Sequence, residues 1–489
     1  MMLRKSMLVL VAAVGFGLGF TSTSRASDLM AEFSQLMSSV KLGRTEVGLS
    51  VVRLKDDQTL VSYHADTPMM PASNMKLVTT ATALGTLGPD FRFQTELAVL
   101  DARPDAAVLL VKGDGDPALG DQRLLQANHL DVEQVLGVLV KAVQGAGIKH
   151  VAKLILDDRV FDRQWIHPLW PRNQLGDWYC APVSGLNFND NCLNVYAAPA
   201  GGGQPPVIQM VPDCPFLHVV NQAMSGGEGN FIARLGGKDG WDLLLNGGVR
   251  HRSVAPIYLP VPNPPVFFGR ILADRLQRAG IGVDALAVPG PDDRLPEGKP
   301  IYYLRTSLLA VLHRCDKDSQ NLFAECLLKR CGRALTGNPG SWENGAAAVR
   351  SFMAQRIGSR AAGLVIVDGS GLSRENRVSP VQLTALLTSM AHDPKLAQPY
   401  MESLSVAGED GTLERRLKSG LHGEVFGKTG YINGVSTFSG YLLMPGQTEH
   451  RPVVAFSFMF NHVPGNVSIH DVKKLQDDFV RVMDREMVR

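Results

Sequence analysis

The feature that most constrains this chain is a pair of strand patterns at each of its two ends. Val47-Gly48-Leu49-Ser50-Val51-Val52 and Thr59-Leu60-Val61-Ser62-Tyr63 alternate in the manner of half-buried strands, with Lys55-Asp56-Asp57-Gln58 as the turn between them. Ser439 to Leu443 and Val453 to Phe460 read as strands again, and Ser468 to Met487 as a closing helix. If all four strands share one antiparallel sheet, everything between them must leave that sheet and return to it. At 489 residues the chain is also too long for one compact core.

The intervening sequence changes character twice. From about Phe91 to Lys299 short β-rich pieces (Phe93 to Val99, Ala107 to Lys112, Val151 to Leu156) alternate with loops. A helical stretch, Val132 to Ala146, and an amphipathic one, Val266 to Arg278, interrupt them. Ala198 to Pro206 and Pro260 to Pro265 are rich in Gly and Pro. After Pro300 helical spacing returns over Thr306 to Arg314, Asn321 to Cys331, Trp342 to Ile357 and Pro380 to Ala391. The predicted class is α/β (α+β): an antiparallel sheet covered by helices, built from 27–90 and 300–489. Residues 91–299 form one large, mostly β insertion.

The first residues read as an address. Arg4 and Lys5 precede an uncharged, apolar run from Met7 to Phe20, and Ser24-Arg25-Ala26 suits a signal peptidase cutting before Ser27. The expectation is a signal peptide over 1–26 and an exported protein of the periplasm or the exterior of the cell envelope. At most it associates peripherally with a membrane, since no later segment is long and apolar enough to cross one. A net charge of +2 argues against a nucleic-acid partner. The 12 histidines contain no His-x-x-x-His pair and the six cysteines match no zinc spacing, so no metal and no cofactor is expected. Export permits disulfides. Cys192 with Cys214, or Cys180 with Cys192, are candidate pairs, while Cys315, Cys326 and Cys331 read as buried thiols.

Three short motifs carry the chemistry. In Pro71-Ala72-Ser73-Asn74-Met75-Lys76 a hydroxyl and an amine lie three residues apart at the start of a helix expected over Ser73 to Leu87. Three residues turn about 300° around the axis, which puts Lys76 within reach of Ser73. An amine whose pKa is lowered by burial or a second cation can take the serine proton. Asp318-Ser319-Gln320-Asn321 sits between two helical segments and can turn a second hydroxyl and an amide into one cleft. Gly427-Lys428-Thr429-Gly430-Tyr431 reads as an edge strand offering an ammonium, a hydroxyl and backbone N–H groups, with Gly430 allowing a ligand close to the main chain. Each alone is as readily an N-cap or a glycine-flanked hairpin. Asp410 and Asp368 read as turn and framework residues.

In that order, Ser-x-x-Lys, Ser-x-Asn and Lys-Thr-Gly resemble the motif set of the penicillin-binding proteins and serine β-lactamases. The wide gap between the first two resembles the class C low-molecular-weight penicillin-binding proteins, the D-alanyl-D-alanine carboxypeptidase/endopeptidase family. So do Gly115-Asp116-Pro117-Ala118-Leu119, Asp368-Gly369-Ser370-Gly371-Leu372-Ser373 and Gly408-Glu409-Asp410-Gly411-Thr412-Leu413. The resemblance implies a penicillin-binding/serine β-lactamase-like transpeptidase domain, with 91–299 as two nested accessory domains inserted in it, acting on peptidoglycan stem peptides that end in D-Ala-D-Ala, with β-lactam antibiotics as inhibitors. It implies Ser73 as nucleophile, Lys76 as base, and Ser319 as the relay to the leaving amine. Asn321 would grip the peptide, Lys428 and Thr429 would dock its terminal carboxylate, and the N–H groups of Ser73 and Tyr431 would form the oxyanion hole. Tyr431 departs from the Ser or Thr usual there. Asp177, on the insertion, is the candidate partner for the free amine of a diaminopimelate-type side chain. A β-lactamase-like hydrolase and a catalytically silent peptidoglycan-binding protein are the rival readings.

Overall fold

The computed structural model describes residues 21–445 and 452–487. Its central sheet has six strands in the order Ser405–Val406, Glu424–Ile432, Val435–Leu443, Pro452–Asn461, Glu46–Arg53, Gln58–Tyr63, every neighbour antiparallel. The two ends of the chain are therefore joined at the register Val47↔Phe460 and Val51↔Phe456.

Period-two alternation sorts the strand residues onto two faces. Phe456, Phe458 and Phe460 face the helices Thr21–Ser39 and Ile469–Met487, where the Phe33 ring stacks on Phe479 at 4.3 Å. Ala455 and Met459 face the other way, onto a helical layer that includes Met75–Leu87, Asn321–Thr336, Trp342–Ile357 and Pro380–Ala391. That second layer holds Lys76 and Asn321 while Lys428 lies on the sheet itself, so the sheet supplies one wall of the candidate site and a helix the floor.

The rest of the chain adds a second sheet, in the order Gly282–Val283, His150–Asp157, Ala107–Lys112, Arg92–Asp101, Lys299–Ser307. It mixes parallel and antiparallel pairs and packs against the helices Val132–Gly145 and Pro264–Arg278. Between its strands in sequence lie small sheets built from 192–260, among them Ile257–Pro260 with Cys192–Ala198 and Val207–Val211. Buried joints tie this region to the helical layer. Arg314 lies against Asp121, Lys329 against Asp162, and the Trp170 indole donates to Asp368 at 3.0 Å.

Several expectations need correcting. All six cysteines are free and buried, so neither candidate disulfide forms; Cys180 and Cys214 sit in different apolar cores, and the Cys214 thiol donates to the Pro212 carbonyl. The helix expected from Thr306 starts at Leu308, because Thr306 and Ser307 end a strand paired with Arg92–Asp101 and Ser307 caps the helix. The export segment expected over 1–26 lies outside the described residues as far as residue 20. Among the described residues no helix is long and apolar enough to cross a membrane.

Candidate active site

Ser73 does not open an α-helix directly. It lies in a 3₁₀ turn, Ala72–Asn74, and the α-helix begins at Met75. The turn is pinned to the sheet. Thr437 Oγ1 donates to Pro71 O at 2.9 Å, and Asn74, with its amide turned to match its neighbours, donates to Lys428 O at 2.8 Å and accepts from Ser439 Oγ at 2.6 Å. Lys76 then lies in the first turn of the helix, and its ammonium nitrogen stands 3.1 Å from Ser73 Oγ. Two more acceptors fix that nitrogen: Asn321 Oδ1 at 2.8 Å and Ser370 O at 3.0 Å.

The Lys-Thr-Gly motif lies on Glu424–Ile432, which the two-residue strand Ser405–Val406 covers only at Phe426 and Gly427. The edge is therefore open from Lys428 onward. Gly430 has a role beyond the one expected: a Cβ there would sit 2.9 Å from Ser73 N and 3.0 Å from Pro71 O. Its missing side chain lets the strand approach the Ser73 turn. Lys428 Nζ donates to Ser319 Oγ at 3.0 Å, and Ser319 holds a left-handed φ of 59°. Thr429 is half-buried, and Tyr431 is 53% exposed at the rim, with Lys473 Nζ 5.1 Å from its ring centre.

Both lysines are fully buried. Desolvation disfavours an ammonium, so burial lowers the pKa of Lys76, against the pull of Cys315, Glu325 and Asp368. Burial, with the Lys76 charge beside it, pushes Lys428 down to about 7. An amine in that state near neutral pH can accept a hydroxyl proton, which an exposed lysine cannot do effectively.

Asp177 stays exposed on the loop before the 3₁₀ turn Trp178–Cys180 and accepts a hydrogen bond from Tyr179 Oη at 2.6 Å. That loop touches the site through main chain: Asn321 Nδ2 donates to Tyr179 O at 3.0 Å. The structure thus brings Ser73, Lys76, Ser319, Asn321 and Lys428 together, puts Thr429, Gly430 and Tyr431 along one edge, and leaves Asp177 two residues from the nearest contact.

Sequence reading missed Glu325. Its carboxylate is fully buried and accepts from Ser370 N at 2.8 Å, Gly369 N at 2.9 Å and Trp342 Nε1 at 2.8 Å. By clamping the Gly369–Ser370 peptides it aims the carbonyl that holds Lys76. The signal was available: Glu325 follows Asn321 by four residues and so shares its helix face. Asp368 organises the same loop as framework, accepting from Gly371 N, Ser373 N and Asn376.

A family model described as the D-Ala-D-Ala carboxypeptidase 3 (S13) family matches residues 29–485. The D-alanyl-D-alanine carboxypeptidase of Actinomadura sp. (strain R39) is 29% identical over 462 residues, 90% of this chain and 82% of that protein. The D-alanyl-D-alanine carboxypeptidase DacB of Haemophilus influenzae is 26% identical over 427 residues, covering 81% and 82%. The crystal structure of penicillin binding protein 4 (dacB) from Haemophilus influenzae superposes with a TM-score of 0.74 at 23% identity, over 92% of this chain and 98% of that one, and shows the same fold. With a matched model spanning nearly all of its length, the chain belongs to the D-Ala-D-Ala carboxypeptidase 3 (S13) family.

Proposed function

We propose that this chain is an exported serine-type D-Ala-D-Ala carboxypeptidase that shortens peptidoglycan stem peptides and is acylated by β-lactams at Ser73. The observation that carries the reading is the buried amine of Lys76, held 3.1 Å from Ser73 Oγ and lowered in pKa by desolvation.

Ser73 Oγ attacks the carbonyl between the two D-alanines while neutral Lys76 takes its proton. The tetrahedral oxyanion lies against the N–H groups of Ser73 and Tyr431, an arrangement in which one donor is worth about 10²–10³ in rate. Ser319, bonded to Lys428, hands a proton to the departing amine and D-alanine leaves. Water then attacks the acyl-enzyme and frees the shortened peptide. Lys428 and Thr429 receive the terminal carboxylate. Asn321 holds Lys76 and Tyr179 O with the two ends of its amide, and takes the substrate amide by exchanging the second partner. Asp177 receives the side-chain amine of the diamino residue. The catalytic unit is 27–90 with 300–489, and 91–299 is the insertion; the strand Lys299–Ser307 straddles the second join.

The test is to incubate the protein and a Ser73→Ala variant with a labelled penicillin, then with a D-Ala-D-Ala pentapeptide. A lasting adduct and D-alanine release, both lost in Ser73→Ala, are expected. Rapid penicillin turnover without peptide cleavage would mean a β-lactamase, and neither reaction a binding protein.

A further inference from the structure

The link between the helices Leu308–Lys317 and Asn321–Thr336 runs from Asp318 to Gln320, with Ser319 at its centre. Ser319 keeps its φ of 59° in the left-handed region, where a Cβ crowds the main chain. A serine stays there only when its surroundings hold it. One hold is the bond from Lys428 Nζ to Ser319 Oγ, inside the cleft. The other comes from behind, through Asp318.

Both oxygens of the Asp318 carboxylate are taken by arginines. Oδ2 accepts from Arg314 Nη1 at 2.7 Å, and Oδ1 pairs with Arg123. Arg314 is buried and turns its Nε and Nη2 onto Oδ2 of the buried Asp121, at 3.0 and 2.7 Å. Asp121 caps the helix Gln122–Ala127, and Arg123 stands in the first turn of that same helix. Asp121, Arg314, Asp318 and Arg123 therefore close a ring of alternating charge, to which the insertion contributes Asp121 and Arg123. Asp190 Oδ2 approaches Arg314 as well, at 4.0 Å. A planar guanidinium that grips one carboxylate with its fork and another with its remaining arm has little room to turn. Asp318 is thus fixed against the insertion as well as against its own helix.

We propose that Asp318 is a positioning residue for the Ser319 relay, and that the insertion sets the place of that hydroxyl through Asp121 and Arg123. This rests on the reading of Ser319 as donor to the departing amine. With the ring broken, residue 319 relaxes towards a right-handed φ and its Oγ swings away from Lys428 Nζ. The step that suffers is cleavage of the C–N bond, in which the amine gains a proton as it leaves. A thiolate leaves without one.

The test compares kcat/KM for D-alanine release from the pentapeptide with kcat/KM for the thioester analogue in which thioglycolate replaces the terminal D-alanine and keeps its carboxylate. In Ser319→Ala and in Asp318→Ala the peptide is expected to slow about tenfold or more, and the thioester by less than about threefold. Arg123→Ala changes an exposed side chain and should leave the thermal melt in place. It is expected to slow the peptide about threefold and to add nothing in the Asp318→Ala background. Parental peptide cleavage in Asp318→Ala or Arg123→Ala would overturn the proposal. So would additive losses in the double variant, or equal slowing of both substrates in Asp318→Ala while Ser319→Ala spares the thioester. Equal slowing of both substrates by Ser319→Ala refutes the relay reading instead. The hold on Ser319 then stands if Asp318→Ala slows both substrates as Ser319→Ala does, and falls if it does not.

Discussion

Gly430→Ala tests how closely the sheet edge must approach the nucleophile. The added methyl would lie 2.2 Å from Thr437 Oγ1, 2.9 Å from Ser73 N and 3.0 Å from Pro71 O. Only the first neighbour can rotate away, and doing so breaks the Thr437 bond to Pro71 O. The other two are main chain of the turn itself, so strand and turn must part by about 0.5 Å before Ser73 N reaches ordinary contact at 3.4 Å. Overpacking costs ~1–3 kcal/mol and the lost hydrogen bond about 1 more, giving a destabilisation of ~2–4 kcal/mol. Because a 1 Å misplacement in a reacting constellation costs on the order of 10²-fold, half that displacement predicts acylation slowed by ~10-fold or somewhat more. Stopped-flow acylation with a fluorescent penicillin and a denaturant melt read the two effects. Thr437→Ala supplies an internal control: alone it costs about 1 kcal/mol, but in the Gly430→Ala background almost nothing, since the bond is already gone. Parental acylation and an unmoved melt in Gly430→Ala, or strictly additive costs in the double variant, would refute the packing account.

The lowered pKa of Lys76 predicts a pH profile: acid returns the proton to its amine, the base is lost, and acylation falls by up to about tenfold per unit below the midpoint, measured as penicillin adduct formation. A rate that rises on acidification would be the wrong sign. Glu325→Gln puts an NH₂ against an N–H donor whichever way its amide turns; slower acylation, by ~10-fold, and a profile midpoint displaced from the parent's are expected, whereas a purely structural role would move only the melt. Asp177→Asn is expected to raise KM about tenfold for a peptide with a free side-chain amine. It should leave penicillin acylation and a peptide with that amine acetylated unchanged, as compared by D-alanine release.

Much of this was legible in the residues. The strand patterns Val47 to Val52 and Val453 to Phe460 foretold a sheet closed by the two ends of the chain, because strands covered on both faces read as short, mostly apolar runs rich in β-branched and aromatic residues. Ser73 and Lys76 were readable as a pair since three residues in a helical turn fix a distance. What escaped was whatever depends on main chain. Ser370 O, Tyr179 O and Pro71 O each place a functional side chain, yet a carbonyl carries no residue signature. The small strands within 192–260 were not singled out at all, only the Gly/Pro-rich loops Ala198 to Pro206 and Pro260 to Pro265, because they are too brief for periodicity to separate strand from turn. Cysteine spacing misled because compartment and parity allow a disulfide without bringing two sulfurs together.

The joints between the two sheets have a thermodynamic consequence. Lys329, Arg314 and Asp368 are buried residues of the helical layer whose partners Asp162, Asp121 and Trp170 come from the intervening region. Peeling the one from the other would strip Lys329 of Asp162 and leave Arg314 with Asp318 alone, and removing one partner of a buried pair costs about 3–5 kcal/mol. The two regions are therefore expected to unfold together, in one calorimetric event, and a fragment cut from either side to be less stable alone than in the whole.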